Sequence, residues 1–319
     1  MSRIAVTGGA GFIGSHLCDA LLGAGHEVVA LDNFDDFYDP HTKRRNLTSA
    51  FACDRFTLVE GDIRDEAAVA EVVDSGVLAV VHLAARAGVR PSIEQPLLYQ
   101  DVNVRGTLTV LEACRRLPNC RFIFASSSSV YGNRPDVPFR ESDPVDDPIS
   151  PYAATKKAGE LLCHTYHHLF GINVTCLRLF TVYGPRQRPD LAIHKFARLI
   201  EQGESVPVYG DGSTCRDYTY INDTIHGLTR AIERCAGYHM YNLGTSHPVT
   251  LVDLAATLED VLGRKAVIDH RPRQPGDVER TCADISLARR ELDYQPTTDL
   301  REGLARFVEW LRSEHLRKA

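Results

Sequence analysis

The pattern that most constrains the fold lies at the start of the chain, where a short apolar run leads into three glycines spaced three residues apart. Ile4–Val6 predict a buried strand, the glycines Gly8, Gly11 and Gly14 follow, and apolar residues then recur at helical intervals. Strand, glycine turn and helix in this order are typical of a dinucleotide-binding unit. Gly8 allows the turn, Gly11 lets backbone approach a phosphate, and Gly14 lets the helix pack closely.

The next predicted strand, 27–31, ends at Asp32, which adds to the same interpretation. An acidic side chain here can accept hydrogen bonds from both hydroxyls of an adenosine ribose, and it repels a 2′-phosphate. We therefore expect NAD rather than NADP. The basic run 43–45 is interpreted as a solvated face or a substrate-side loop.

Composition and charge exclude several classes of protein. The chain has 319 residues with a formal net charge of −6, which argues against a general nucleic-acid binder. No apolar run reaches the roughly 18 residues of a membrane span. The nine cysteines include no Cys-x-x-Cys pair, so neither a disulfide framework nor a metal site is indicated. Because the first predicted strand leaves no signal peptide, we expect a cytoplasmic protein.

Predicted strands and helices alternate through residues 1–180, with long helices over 97–117 and 151–170 and a sixth strand over 173–180. Such alternation predicts an α/β fold with a doubly wound parallel sheet of the Rossmann type, whose ligands lie at the carboxyl ends of the strands. Residues 181–319 are more irregular and predict a smaller, mixed α/β lobe, with a segment near 215–243 returning to the first domain. Thr250 and Asp223 are predicted to cap helices in this lobe.

A second group of polar residues lies at the end of the fifth strand and at the start of the helix 151–170. Ser150 is a predicted N-cap and Pro151 the first helical residue, so Tyr152 and Lys156 share one helical face. A free tyrosine has a pKa of about 10, and a nearby ammonium and a nicotinium ring would both lower it. The pair alone is common in amphipathic helices. The serines 126–129, directly after a buried strand, favour catalysis over a flexible linker.

These motifs together resemble the extended short-chain dehydrogenase/reductase family over essentially the whole chain. The resemblance rests on the glycine turn, Asn103, Ser127 and Tyr152-x-x-x-Lys156. Within the family, stretches 32–39, 178–190 and 274–277 are most similar to UDP-glucuronate 4-epimerases. The resemblance implies an NAD-binding domain over 1–180 and a lobe that binds a UDP-sugar over 181–319. It also implies a homodimer that pairs through the two long helices.

The resemblance also implies roles for individual residues. Ser127, Tyr152 and Lys156 are the predicted catalytic residues. The predicted cofactor-binding residues are Gly8, Gly11, Phe12, Ile13, Gly14, Asp32, Asn33, Asp62, Ile63, Leu83, Ala84, Ala85, Asn103, Tyr152 and Lys156. The predicted substrate-binding residues are Ser127, Ser128, Ser129, Tyr152, Thr181, Lys195, Arg216 and Asp277.

The choice among related activities rests on two positions. Related 4,6-dehydratases and UDP-glucuronate decarboxylases carry an acidic residue where Ser129 stands, and chemistry at C5 and C6 needs that group. Epimerases of neutral hexoses carry asparagine at the position of Thr181, whereas a hydroxyl suits a sugar carboxylate. We therefore expect a UDP-glucuronate 4-epimerase. The alternatives are a UDP-glucose or UDP-N-acetylglucosamine 4-epimerase, a decarboxylase or 4,6-dehydratase, and a non-enzymatic NAD-sensing regulator.

Overall fold

The computed structural model describes residues 1–272, 276 and 278–316. In chain order, the first elements are β1 (Arg3–Thr7), α1 (Phe12–Gly23), β2 (Glu27–Asp32), α2 (Pro40–Asn46), α3 (Thr48–Phe51), β3 (Phe56–Glu60), α4 (Glu66–Val72), β4 (Val77–His82), α5 (Val89–Glu94), α6 (Pro96–Gln100), a π-helical turn (Asp101–Arg105), α7 (Gly106–Cys114), β5 (Arg121–Ser127), a 3₁₀ turn (Ser128–Tyr131), α8 (Pro151–Phe170) and β6 (Asn173–Leu179).

The remaining elements follow β6. They are β7 (Thr181–Tyr183), α9 (Ala192–Gln202), β8 (Ser205–Tyr209), β9 (Cys215–Tyr220), α10 (Ile221–Arg234), β10 (Tyr238–Leu243), β11 (Pro248–Thr250), α11 (Leu251–Leu262), β12 (Val267–Arg271), α12 (Ser286–Leu292) and α13 (Leu300–Leu316).

The large sheet confirms the predicted fold class. It has seven parallel strands among the described residues, in the order β10-β6-β5-β4-β1-β2-β3. Side chains alternate across β1, so that Ile4 and Val6 pack into one hydrophobic cluster and Ala5 into the other. Because both faces are covered, the central strands β1, β2 and β4 are rich in apolar residues. The strand order reverses between β1 and β4, which places a crevice at their carboxyl ends.

The C-terminal part builds two small sheets beside the large one. Strands β11, β9 and β7 form one of them, and β12 pairs with β8 in the other. Within the segment 215–243, β10 lies in the large sheet next to β6, whereas β9 pairs with β7 and β11. The chain therefore leaves the large sheet after β6 and returns to it at β10.

Several local predictions are confirmed by the backbone. Ser150 caps α8 by accepting from the N–H of Ala153, and Thr250 caps α11 by accepting from the N–H of Asp253. The prediction for Asp223 is wrong. Helix α10 begins at Ile221, and the Asp223 carboxylate instead accepts from the N–H groups of Thr297 and Thr298.

The predicted long helix over 97–117 also differs from the structure. It is divided into α6, the π-helical turn and α7, and it ends at Cys114. A π turn inserts one extra residue per turn, and such turns often occur at functional sites. Asn103 lies in the middle of this turn. Helical periodicity in the sequence does not distinguish an α turn from a single π turn, so the interruption was not predicted.

Candidate active site

A cavity of about 500 Å³ opens at the carboxyl ends of the large sheet. Most of the predicted site residues line it: Gly8, Gly11, Phe12, Ile13, Gly14, Asp32, Asn33, Asp62, Ile63, Leu83, Ala84, Ala85, Ser127, Ser128, Ser129, Tyr152, Lys156, Thr181 and Arg216. Asn103 and Lys195 are not among the lining residues. Asp277 lies outside the described residues. Of the stretch 274–277 that carries part of the family resemblance, only Gly276 is described.

The glycine turn forms one wall of this cavity. Gly8 has a φ of +73°, a conformation that L side chains rarely adopt, and its N–H donates to the carbonyl of Leu31 at 2.7 Å. A Cβ added at Gly14 would lie 2.0 Å from the carbonyl oxygen of Gly8. The start of α1 is thus packed directly against the turn, which aims the helix N-terminus and its free N–H groups at the cavity.

Asp32 lies at the end of β2 with its carboxylate beside this turn. Its two oxygens accept from the N–H of Ala10 at 3.0 Å and from the N–H of Phe34 at 2.9 Å. Burial raises the pKa of Asp32, while the hydrogen bond from Phe34 and the nearby Lys43 lower it. A carboxylate has about four acceptor sites, so two remain for hydroxyl donors of a ligand.

The run 43–45 was interpreted as a solvated face or a substrate-side loop, and the first of these is wrong for Lys43. Lys43 is buried, lines the cavity, donates to the carbonyl of Asp35 at 2.6 Å and lies 4.9 Å from the ring centre of Tyr38. Tyr38 also lines the cavity. Its buried hydroxyl has no hydrogen-bond partner among the described residues. A buried polar atom without a partner is costly unless a ligand or water pairs with it.

Asn103 acts behind the cavity wall. Its side-chain amide accepts from the N–H of Arg86 at 2.8 Å, and it donates to the carbonyl of Arg86 and to the hydroxyl of Thr155, each at 3.0 Å. The π turn brings this amide within reach of both neighbours. Asn103 therefore fastens the loop after β4 to helix α8, which carries Tyr152 and Lys156.

Tyr152, Lys156 and Ser127 meet at the other end of the cavity. Burial raises the pKa of Tyr152 above its ordinary value, while the Ser127 hydroxyl and the charge of Arg188 lower it. Burial lowers the pKa of Lys156 to about 8. The ammonium of Lys156 donates to the carbonyl of Ala125 at 2.7 Å. The expected lowering of the Tyr152 pKa by Lys156 is therefore not found in the chain by itself.

The serine run turns sharply after β5. The hydroxyl of Ser127 accepts from the N–H of Ser129 at 3.2 Å and lies 2.9 Å from the hydroxyl of Ser129. Ser128 and Thr181 complete this hydroxyl-rich wall. Thr181 begins β7, immediately after the large sheet ends at Leu179 and Phe180.

Sequence reasoning missed three residues of the cavity wall. Arg86 and Arg188 place their guanidinium carbons 5.1 and 5.2 Å from the ring centre of Phe37, and all three residues line the cavity. Arg86 pairs with Asp35, and Arg188 pairs with Asp190 at 2.8 Å. Arg188 and Phe37 lie in stretches 178–190 and 32–39, which entered the sequence analysis only through the family resemblance, and no spacing rule indicates that Arg86 and Arg188 converge on one aromatic ring.

The described carboxylates of the cavity are unevenly distributed. Asp32, Asp35 and Asp62 follow β2 and β3, at the edge of the sheet away from β5 and β6. The wall near Tyr152 contains hydroxyls and Arg188 instead. This end of the cavity therefore suits an anionic or strongly hydroxylated ligand, because no described carboxylate there would repel a carboxylate of the ligand.

The described part of the chain shows neither a metal site nor a membrane-spanning helix. No group of three or more histidine, cysteine or acidic side chains is arranged to hold a metal ion there. No helix of this part is both long and apolar enough to cross a bilayer.

Comparisons with known proteins give consistent results. Residues 5–307 match the family described as GDP-mannose 4,6 dehydratase. The UDP-glucuronate 4-epimerase of Thermodesulfobacterium geofontis (strain OPF15) is 40% identical over 312 residues, which cover 97% of this chain and 96% of that protein. The crystal structure of UDP-glucuronic acid 4-epimerase from Bacillus cereus in complex with UDP-glucuronic acid and NAD is 37% identical, with a TM-score of 0.90 and coverage of 98% and 99%. UDP-glucose 4-epimerase from Thermotoga maritima with UDP-glucose is 31% identical, with a TM-score of 0.90 and the same coverage.

Proposed function

We propose that this chain, which belongs to the extended short-chain dehydrogenase/reductase family, is an NAD-dependent 4-epimerase that interconverts UDP-glucuronate and UDP-galacturonate. One observation carries the proposal. The described carboxylates of the cavity come from β2 and from the chain after β2 and β3, while Ser127 and Arg188 act on Tyr152 and the hydroxyls of Ser128, Ser129 and Thr181 line the same cavity. This distribution favours a sugar that bears a carboxylate, and it provides no acid for elimination or for chemistry at C5.

The residues at the dinucleotide end fit NAD. Asp32 keeps two acceptor sites for ribose hydroxyls, and the partnerless hydroxyl of Tyr38 faces the same cavity. The N–H groups at the start of α1 suit the pyrophosphate. When bound, NAD takes a hydride from C4 of the sugar and returns it to the same carbon, so that no added oxidant is consumed.

The chain itself handles the proton and the orientation of the sugar. In this proposal Tyr152 Oη takes the proton from O4 and later returns it, and the hydrogen bond with Ser127 supports this role. Lys156 is held by the carbonyl of Ala125, which leaves its other N–H donors for a ribose. Oxidation at C4 makes a β-keto acid, which loses CO₂ when its C5–C6 bond is parallel to the carbonyl π system. Ser128, Ser129 and Thr181 would hold the carboxylate away from that orientation.

The test is incubation of purified protein with UDP-glucuronate, UDP-glucose and UDP-N-acetylglucosamine separately, without added cofactor, followed by product identification. We expect UDP-galacturonate from the first, and loss of most turnover in Tyr152→Phe, since general-base catalysis contributes about 10²–10⁴-fold. Turnover of a neutral sugar alone would replace the substrate assignment. A pentose or 6-deoxy product would establish a decarboxylase or dehydratase instead.

We also propose that residues 1–180, to whose sheet the strand β10 returns, hold NAD, and that 181–319 supply most nucleotide-sugar contacts. Arg216 lines the cavity from β9 and is proposed to meet the diphosphate. Lys195 is half-buried on α9 outside the cavity lining, and its substrate contact stays a prediction, as does that of Asp277. All nine cysteines are free, which supports the expected cytoplasmic location.

We propose a homodimer in which α7 and α8 of one protomer pack against the same helices of the other. Exposed apolar side chains on α6, α7 and α8 support this arrangement: Leu97, Leu108, Leu161, Leu169 and Phe170. A two-fold axis would bring the same patch of both copies together and bury it. Light scattering should report a dimer for the wild type and a monomer for Leu161→Glu. A wild-type monomer at micromolar concentration would contradict the proposal.

A further inference from the structure

A buried ion pair lies behind the reactive end of the cavity, and the proposed chemistry makes no use of it. Glu160 and Arg178 have side chains only 1% and 2% exposed. The guanidinium donates from Nε to Oε1 at 2.9 Å and from Nη2 to Oε2 at 3.0 Å. The hydroxyl of Ser126 donates to the same Oε1 at 2.7 Å. Neither charged residue lines the cavity.

Stability alone does not explain such a pair. Removing two charges from water is costly, and replacing a buried pair by apolar side chains is often neutral or stabilising. A bidentate pair does supply fixed geometry, because both partners are planar and hydrogen-bonded at two points. The relevant question is therefore which parts of the chain this geometry holds together.

The pair connects β5 and α8, which carry Ser127, Tyr152 and Lys156, with β6, which leads to Thr181. Ser126 is on β5, directly before Ser127, and Arg178 is on β6, three residues before Thr181. Ser126 and Arg178 are also opposite each other in the register of β5 and β6. Glu160 is on α8, one helical turn after Lys156. The ion pair and its hydrogen bond from Ser126 thus hold β5, β6 and α8 together, within four residues of Ser127, Thr181 and Lys156.

The same arginine also fixes the far end of the serine run. Its guanidinium carbon lies 4.8 Å from the ring centre of Tyr131, the last residue of the 3₁₀ turn. Tyr131 in turn donates to the side-chain oxygen of Asn242 on β10 at 2.7 Å. The hydroxyl-bearing turn is therefore held at Ser126 by Glu160 and at Tyr131 by Arg178.

We propose that Glu160 and Arg178 are positioning residues that set the distances between the serine turn, Thr181 and the Tyr152–Lys156 pair, so that the keto sugar is reduced before it loses CO₂. This inference rests on the proposed epimerase function. Hydride return needs C4 in register with Tyr152, and CO₂ retention needs the carboxylate held by the opposite wall. A displacement of about 1 Å between such groups can cost about 10²-fold in rate.

The leakage reaction gives a direct readout. UDP-glucuronate and NAD⁺ yield the 4-keto sugar, NADH and a proton. The C5–C6 bond of the 4-keto sugar then breaks and CO₂ leaves. The electron pair of that bond moves toward the C4 carbonyl, and C5 takes up the proton. The products are UDP-4-keto-pentose, CO₂ and one NADH for each lost carboxylate. The ratio of this pentose to UDP-galacturonate measures positioning and is independent of how much protein is folded.

The main variant is the double change Glu160→Leu/Arg178→Met, which removes both charges and keeps the space filled. We expect a melting temperature and NAD content close to the wild type, a kcat about ten- to a hundredfold lower with a smaller change in KM, and a higher pentose ratio. Ser126→Ala, which leaves the ion pair intact and removes only the hydrogen bond from β5 to Glu160, should raise the pentose ratio in the same direction. The control is Thr224→Val, which deletes an equally buried hydroxyl on α10 and should change none of these quantities.

The outcomes separate cleanly. A double variant that folds, holds NAD and shows the wild-type kcat and pentose ratio overturns the proposal. If the double variant does not fold, Ser126→Ala decides, and an unchanged pentose ratio there overturns the proposal as well. A wild-type protein that makes no UDP-galacturonate overturns the proposed function itself, and the wild-type arm alone identifies that result.

Discussion

At the scale of single residues, the phenol of Tyr152 lies in surroundings that oppose its ionisation. Burial raises its pKa, and Lys156, whose ammonium donates to the carbonyl of Ala125, is not among the groups that lower it. The cation that favours the phenolate is Arg188, in the turn after β7. Tyr152, which removes the proton, and Arg188, which favours the charged phenolate of Tyr152, thus come from different parts of the chain.

This arrangement predicts a pH effect for Arg188→Gln. A positive charge favours the charged phenolate, so its removal raises the pKa of Tyr152 and lowers the phenolate fraction at any given pH. The rising limb of the pH profile of kcat should therefore move to higher pH. Arg198→Gln removes an exposed arginine of α9 that does not line the cavity, and it should leave the profile in place. A profile that stays unchanged in Arg188→Gln would show that this charge does not act on Tyr152.

Thr181 gives the second residue-scale prediction. Its half-buried side chain lines the cavity beside the serine turn. A hydrogen bond to a charged group contributes about 1.5–3 kcal/mol, so Thr181→Ala should lower kcat/KM for UDP-glucuronate about ten- to a hundredfold. It should also release some UDP-4-keto-pentose, which mass spectrometry detects. Thr181→Ser keeps the hydroxyl and is the matched control. An equal loss on UDP-glucose, with no pentose, would exclude a carboxylate contact.

At the scale of elements, the first βα unit depends on two glycines for different reasons. Gly8 occupies a left-handed conformation, whereas Gly14 lies where any side chain would collide with the backbone of the turn. The second requirement is steric and concerns the contact between α1 and the turn. It therefore determines where the helix N-terminus points relative to the cavity.

A pair of alanine substitutions in α1 tests this. In Gly14→Ala the new Cβ would be 2.0 Å from the Gly8 carbonyl oxygen, so the helix start must shift, and we expect loss of bound NAD and a lower midpoint of urea unfolding. Gly23, at the other end of the same helix, has no atom within 4 Å of an added Cβ. Gly23→Ala should keep NAD and stabilise the protein by about 0.4–1 kcal/mol. Wild-type NAD content in Gly14→Ala would contradict the steric argument.

Element prediction succeeded where a local chemical signal marks the boundary. Ser150 with Pro151 and Thr250 with Asp253 define helix starts by their own side chains, and both are confirmed. Asp223 carries the same kind of signal, but its carboxylate is used by the distant N–H groups of Thr297 and Thr298. That competition is tertiary, and no local pattern reports it. The π turn at Asn103 was missed for a related reason, since its partners lie on other elements.

Within the site, too, the residues in short local motifs were predicted, and the residues that meet only through the fold were not. The glycine turn, the serine run and the pair Tyr152 and Lys156 were found because each is a short motif at a strand or helix end. Arg86 and Arg188 are 102 positions apart in the numbering and meet only through Phe37. Such convergence depends on the folded loops, so sequence spacing alone did not predict it.

At the scale of the whole molecule, strand order separates two chemical environments within one cavity. The ends of β2 and β3 contribute the carboxylates, and the ends of β5 and β6 contribute hydroxyls and lead to the turn with Arg188. The separation follows from the topology, because β1 and β4 lie between these pairs of strands. The two environments meet at Phe37, where Arg86 and Arg188 lie over one ring and Arg86 neutralises the carboxylate of Asp35.

The last prediction concerns the cofactor and the stability of the whole chain. Asp32 at the end of β2 accepts two backbone N–H groups and would face the 2′ position of an adenosine, where a phosphate would be repelled. A ligand that binds only the folded protein stabilises it by about 2.7 kcal/mol at a concentration one hundred times its Kd. We therefore expect purified protein to release NAD on denaturation, and cofactor-stripped protein to melt at a lower temperature. Added NAD should restore the melting temperature, whereas NADP at the same concentration should not. Release of mainly NADP, or equal stabilisation by both nucleotides, would show that Asp32 does not select the cofactor.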